Sequence, residues 1–223
     1  MTSSASATLL PAVLAGNGVL TLTLNHPASR NALSLAMMEA FERALAKIAA
    51  DANVRCLILA AQGPAFCAGH DLRELSAARA ASDGGERFFA RTFMRCSGIM
   101  QALAALPQPV IAAVEGVATA AGCQLVGACD LAIAGESAVF CTPGVDIGLF
   151  CSTPAVALSR NVGRKHALEM LFTGDKISAQ DAYRMGLVNR VTGAGEALNG
   201  AKALALKIAN KPAAVMAQGK RTF

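Results

Sequence analysis

The chain has 223 residues, 54% of them apolar and 16% charged, with a net charge of +5. That balance excludes a disordered chain and is enough to bury a sizeable core, and the absence of Trp, with Tyr183 the one Tyr, leaves little to stack on nucleic-acid bases. Most of the positive charge falls in residues 193–223, where Lys202, Lys207, Lys211, Lys220 and Arg221 outweigh Glu196, and a run of this kind reads as a solvated helix face.

Val19–Leu24 alternates with period two and predicts a strand, which Asn25-His26-Pro27 ends. Ser34 caps a predicted helix carrying Leu35, Met38, Phe41, Leu45 and Ile48 at helical spacing. Val54–Ala60 is a short apolar strand turned by Gln62-Gly63-Pro64. A charged helix starts at Asp71 and loosens at Ser82–Gly85, and a longer one spans Arg87–Leu106 and stops before Pro107. Val110–Val114 is a buried strand. Gly116–Cys129, rich in Gly and Ala, predicts a tightly packed helix. Leu131–Ala134 and Ala138–Phe140 are strands, and Thr153–Val162 and Arg164–Phe172 are helices. Ser178 caps a helix that Gly186 stops, Leu187–Val191 is a last strand, and the tail from Ala194 is helical with a break at Pro212. Strands alternating with helices predict an α/β fold, with residues 1–192 as the core and 193–223 as a helical C-terminal segment.

Seven Cys form no C-x-x-C and are odd in number, which reads as reduced, buried thiols inside a cell. His26, His70 and His166 give no ligand spacing, so no metal is expected. The uncharged, apolar run Cys96–Val114 is interrupted by Pro107 and Pro109 and predicts no membrane span. No Arg or Lys precedes Arg30, so neither a secretory nor a mitochondrial leader is expected.

Two small-residue bends stand out, Phe66-Cys67-Ala68-Gly69-His70-Asp71-Leu72 and Ala118-Thr119-Ala120-Ala121-Gly122-Cys123-Gln124-Leu125. Small residues let backbone approach a ligand, and helix starts leave N–H groups unpaired. Two such groups aimed at one point would hold a carbonyl oxygen as it gains negative charge. A glycine-rich turn is more often only a turn.

Those bends, with Asn25-His26-Pro27, Asn31-Ala32-Leu33, Pro109–Gly116, Cys129-Asp130, Leu171-Phe172-Thr173-Gly174 and Ile177–Ala182, resemble the enoyl-CoA hydratase/isomerase (crotonase) superfamily over residues 15–195. The run Thr142–Pro154 is similar to one branch of it. The resemblance implies a crotonase-like spiral of ββα turns and an acyl-CoA thioester whose carbonyl meets the backbone N–H groups of His70 and Ala121, with Gly122 supporting the turn. It places Arg30, Ala32, Ala68, His70, Asp71, Leu72, Gln124 and Gly144 along the substrate path. Coenzyme A would arrive as part of the substrate, with no permanently bound cofactor. A homotrimer or dimer of trimers is implied, and fatty-acid metabolism, in the cytoplasm or in the mitochondrial matrix of a eukaryote. Family members usually continue some tens of residues further, in helices that pack between subunits.

The departures bear on the chemistry. Hydratases of the superfamily carry Glu where this chain has Gln124 and again where it has Gly144. Neither residue can move a proton near neutral pH, so efficient hydration is not expected. Asp146 is the candidate substitute acid/base, against the alternative of a loop-capping Asp turned away. His70 is expected to act through its N–H, and Glu115 to be structural. The rival to an isomerase-type or lyase-type enzyme is a non-catalytic acyl-CoA-binding or regulatory protein. A structural subunit with a collapsed pocket is a third reading.

Overall fold

The computed structural model describes residues 8–223; residues 1–7, on which part of the leader reading rests, lie outside them. Repeated strand–strand–helix turns sort their strands into two sheets. The larger sheet runs β1 (Ala12–Leu14), β2 (Val19–Leu24), β3 (Cys56–Ala61), β5 (Val110–Val114), β7 (Leu131–Gly135) and β10 (Arg190–Thr192) in that spatial order. It is parallel apart from the antiparallel β1–β2 pair. The smaller sheet holds β4 (Ala65–Cys67), β6 (Val117–Thr119) and β8 (Val139–Cys141) in parallel, with β9 (Ile177–Ser178) antiparallel at its edge.

The even burial of β3 and β5 explains why they show no polar alternation. On one face Leu57, Leu59 and Val110 join the main core with Phe41 and Leu45 of α1 (Leu35–Ala50) and Leu103 of α3 (Glu86–Ala105). On the other, Ile58, Ile111, Ala113 and Ile133 meet Ala197, Ala201, Ala205 and Ala209 of α8 (Ala197–Ala209). Alanine at every fourth position gives α8 a smooth stripe that lies close on the sheet. Glu115, read from the sequence as structural, accepts the Ala197 N–H at 2.9 Å and so caps the start of α8.

Ser34 caps α1 as predicted, its hydroxyl accepting from Met37 N. Two predicted elements differ. Residues 116–129 are not one helix: Val117–Thr119 pair with Val139–Cys141 as β6, and α4 (Ala121–Ala128) begins only after Ala120. Small apolar residues look alike in a buried three-residue strand and in a buried helix, and only the positive φ of 51° at Ala120 separates the two. Of the predicted strand Leu187–Val191, only Arg190 and Val191 pair, extended by Thr192, because the Asn189 side chain takes the Ala132 N–H.

Asn31, fully buried and at a φ of 55°, ties the first loop to the smaller sheet. Its Oδ1 accepts from His26 N at 2.8 Å, and its Nδ2 donates to Gln62 O at 2.9 Å and Ala65 O at 2.8 Å. The basic tail is not wholly a solvated face. Lys220 of α9 (Ala213–Thr222) has a side chain only 12% exposed and pairs with Asp130 at 2.7 Å, also donating to Leu103 O and Gln108 O. Burial raises the Asp130 carboxyl above its ordinary value, against the opposing pull of Lys220 and the Val110 N–H. A carboxyl raised in the folded state favours folding when protonated, and that contribution fades as pH rises through the raised value. Lys220→Met strands the anion, so it costs about 2 kcal/mol at about pH 7 and much less at about pH 4. Urea midpoints at the two pH values check this; an equal penalty at both would contradict it.

Candidate functional site

Both small-residue bends leave the same end of the smaller sheet, because their parent strands β4 and β6 are parallel neighbours in register Cys67↔Ala118. The first bend is clamped from outside: Ala68 N donates to Arg30 O at 3.0 Å and Leu33 N to Gly69 O at 2.7 Å. Side by side, the bends require glycine. A Cβ on Gly69, which has a φ of +82°, would stand 3.1 Å from the Thr119 carbonyl and 3.3 Å from Ala121 N. A Cβ on Gly122 would stand 2.1 Å from the Cys67 carbonyl oxygen. Ala121 is the first residue of α4, so its N–H has no acceptor within the helix. Among the described residues nothing accepts a hydrogen bond from His70 N or Ala121 N.

The other predicted residues distribute unevenly. Ala32 is buried beside Asn31, while Arg30 is exposed at a φ of 53°. Asp71 caps α2 (Leu72–Ala78), its Oδ1 accepting from Arg73 N at 2.9 Å, and Leu72 is 60% exposed. Gln124, in the first turn of α4, is 6% exposed and its Oε1 has no partner among the described residues. Gly144 lies in a 3-10 turn, Pro143–Ile147, and has no room for a side chain: a Cβ there would meet Leu149 O at 2.2 Å and Cys151 Sγ at 2.8 Å. Asp146 is exposed on the same turn, with its Oδ2 toward Gly174 at the end of α6 (Arg164–Thr173), and makes no hydrogen bond or ion pair among the described residues.

The His70 ring packs edge-on to Phe93 of α3, with centroids 5.1 Å apart, and its Nδ1 is buried without a partner among the described residues. Burial lowers the imidazole pKa, with the Leu33 backbone pulling the other way. All seven cysteines are buried and unbridged. Burial pushes the Cys67 and Cys123 thiols up to about 12, so neither is a thiolate at neutral pH. Cys123 lies close enough to Cys141 and Cys151 to be biased further by them, which brings the start of α4 near the Gly144 turn.

Sequence reasoning missed the strained hinge between β6 and α4. Ala120 holds a φ of 51° and ψ of −118°, a region that suits glycine, and its N–H donates to Cys141 O at 2.9 Å. No residue type in the sequence marks it, since alanine gives no sign of a positive φ. Ala120→Gly therefore raises stability by about 1 kcal/mol, the relieved strain exceeding the added chain entropy. A fall in thermal midpoint would show that the bend is not strained.

The family model described as enoyl-CoA hydratase/isomerase matches residues 15–223. The rat "Enoyl-CoA hydratase domain-containing protein 3, mitochondrial" (Rattus norvegicus) is 46% identical over 207 residues, which is 93% of this chain and 67% of that protein. The human protein of the same name (Homo sapiens) is 45% identical over the same shares. The crystal structure of a Mycobacterium smegmatis enoyl-CoA hydratase superposes with a TM-score of 0.90 at 51% identity, over 96% of this chain and 81% of that one. The human domain-containing protein 3 structure gives 0.90 at 44% identity, over 96% and 83%. The branch suggested by Thr142–Pro154 is thus among the relatives. Likeness of this extent runs through the whole winding of the fold and both of its bends, and the chain belongs to the enoyl-CoA hydratase/isomerase family.

Proposed function

We propose that the protein binds an acyl-CoA thioester across the paired bends and holds its carbonyl oxygen between the N–H groups of His70 and Ala121. The observation that carries this reading is the packing of Gly69 against Ala121 N with both N–H groups unclaimed among the described residues. Donors fixed in place stabilise the negative charge that grows on that oxygen when an enolate forms, and one such donor is worth about 10²–10³ in rate. Arg30, Ala32, Ala68, Asp71 and Leu72 then border the coenzyme A portion, which arrives with the substrate. Gln124 and the filled place at Gly144 leave hydration without the carboxylates it needs, a loss of about 10²–10⁴ per group. Asp146 is the carboxylate assigned to proton transfer in any isomerase or lyase reaction here. The protein works as a trimer or pair of trimers in fatty-acid metabolism, and the relatives' names support a mitochondrial setting.

A second reading, acyl-CoA binding without turnover, is favoured by one observation: the exposed Asp146 carboxylate lies against Gly174 and has no hydrogen bond or ion pair among the described residues to hold it in place for proton transfer. Calorimetric titration with butyryl-CoA, paired with NMR of α-proton exchange in D₂O, separates the two. Binding with exchange that Asp146→Asn abolishes supports the enzyme and its acid/base. Exchange that survives the substitution removes Asp146 from the mechanism. Binding without exchange or turnover supports the second reading, and no binding overturns both.

A further inference from the structure

We propose that the cavity between α9 and the body of the protein is a second binding site, and that it takes a small zwitterion, an α-amino acid with an aliphatic side chain. The cavity measures about 320 Å³ and lies between α9, the end of α1, the start of β3 and the Pro107–Pro109 segment before β5. It shares no lining residue with the two bends. It sits where the paired strands β3 and β5 begin, whereas the bends follow the ends of β4 and β6. A volume of this size suits a small ligand.

Close packing of α9 would have filled that space. No residue of α9 is buried, and the helix is held from its two ends. Near its C-terminus Lys220 is set between Asp130, Leu103 O and Gln108 O. Just before its N-terminus Arg55 donates to Lys211 O at 2.6 Å. Between these anchors Ala213, Ala214 and Met216 border the cavity, and with Ala49 and Ile208 they give it an apolar wall.

The polar lining is only partly satisfied. Gln108 is 7% exposed, and its Nε2 donates to Ile48 O at 2.9 Å and to Asp51 O at 3.4 Å. Its Oε1 has no partner among the described residues, and a buried acceptor of this kind calls for a donor. Of the Asp51 carboxylate only Oδ1 is engaged, by Asn53. Among the described residues the Lys211 ammonium makes no hydrogen bond or ion pair, and Arg55 uses one terminal nitrogen. The cavity is thus bordered by one anion, one neutral acceptor and two cations beside an apolar wall. A simple carboxylic acid leaves Gln108 and Asp51 unmatched, and a simple amine leaves Arg55 and Lys211 unmatched. A zwitterion answers both sets, its ammonium donating to Gln108 Oε1 and Asp51 and its carboxylate accepting from Arg55 and Lys211. The aliphatic side chain lies along the alanine, isoleucine and methionine wall. Such a ligand joins α9 to the body of the protein across the gap that its own side chains leave.

The test titrates the full chain by calorimetry with leucine, with 4-methylpentanoate, which lacks the ammonium, and with 3-methylbutylamine, which lacks the carboxylate. The methionine methyl signals are followed by ¹³C NMR, with Met216 assigned through Met216→Leu. The expected result is one leucine bound per chain with the Met216 signal shifted, and each analogue bound about tenfold or more weakly. Lys211→Met, at an exposed position, should weaken leucine about tenfold while leaving 3-methylbutylamine and butyryl-CoA binding unchanged. No leucine bound at up to about 10 mM overturns the site. Leucine bound with the Met216 signal unmoved, or with equal affinity in Lys211→Met, places the ligand elsewhere and overturns it too. An analogue that binds as tightly as leucine overturns the zwitterion.

Discussion

Gly122→Ala removes acyl-CoA binding and costs about 3 kcal/mol of stability, a large effect for one methyl group. The added carbon would stand 2.1 Å from the Cys67 carbonyl oxygen and 2.7 Å from its carbon, and both are backbone atoms that no side-chain rotation can clear. The end of β4 must therefore move away from α4 by about 1 Å, taking Gly69 and His70 with it. A misplacement of that size costs about 100-fold in a positioned reaction. The matching control is Gly98→Ala in the middle of α3, where an added Cβ meets nothing within 4 Å. That change should stabilise by about 0.5–1 kcal/mol by restricting the unfolded chain. Thermal midpoints and butyryl-CoA calorimetry on both variants check the pair; equal behaviour would show that crowding at Gly122 is not what fixes the bends.

The second large effect concerns the missing carboxylates. Gly144→Glu, alone or with Gln124→Glu, does not create a hydratase. The new side chain would begin 2.2 Å from Leu149 O and 2.8 Å from Cys151 Sγ, so the turn that Leu149 N closes onto Gly144 O must open before a carboxylate can enter. The expected loss is about 3 kcal/mol, with crotonyl-CoA hydration no faster than in the parent protein. Gln124→Glu by itself is nearly isosteric and should fold normally. Hydration gained by the double variant would show that the site is a hydratase lacking only two side chains, and that the surrounding turn is not committed to another use.

Much of the larger sheet is legible in the sequence because its strands are long enough to show themselves. Val19–Leu24 alternates, and the buried runs at Cys56–Ala61 and Val110–Val114 are bounded by turns and prolines. Ser34 and Pro107 mark the ends of α1 and α3 for the same local reasons. The smaller sheet is largely hidden, since strands of two or three residues hold no period to read, and yet it is this sheet that sets the two bends side by side. The bends themselves were visible as small-residue runs; what joins them was not. Glycine at 69 and 122 is explained only by the backbone of the neighbouring bend. The Lys220–Asp130 pair joins residues far apart in the chain, so composition could show the charge of the tail but not its anchor.

The most direct test is the infrared carbonyl stretch of butyryl-CoA labelled with ¹³C at the thioester carbon. Two backbone donors converging on that oxygen predict a stretch at lower frequency in the bound state than in water. A thioester that binds with its carbonyl frequency unchanged would contradict the pairing of His70 N and Ala121 N.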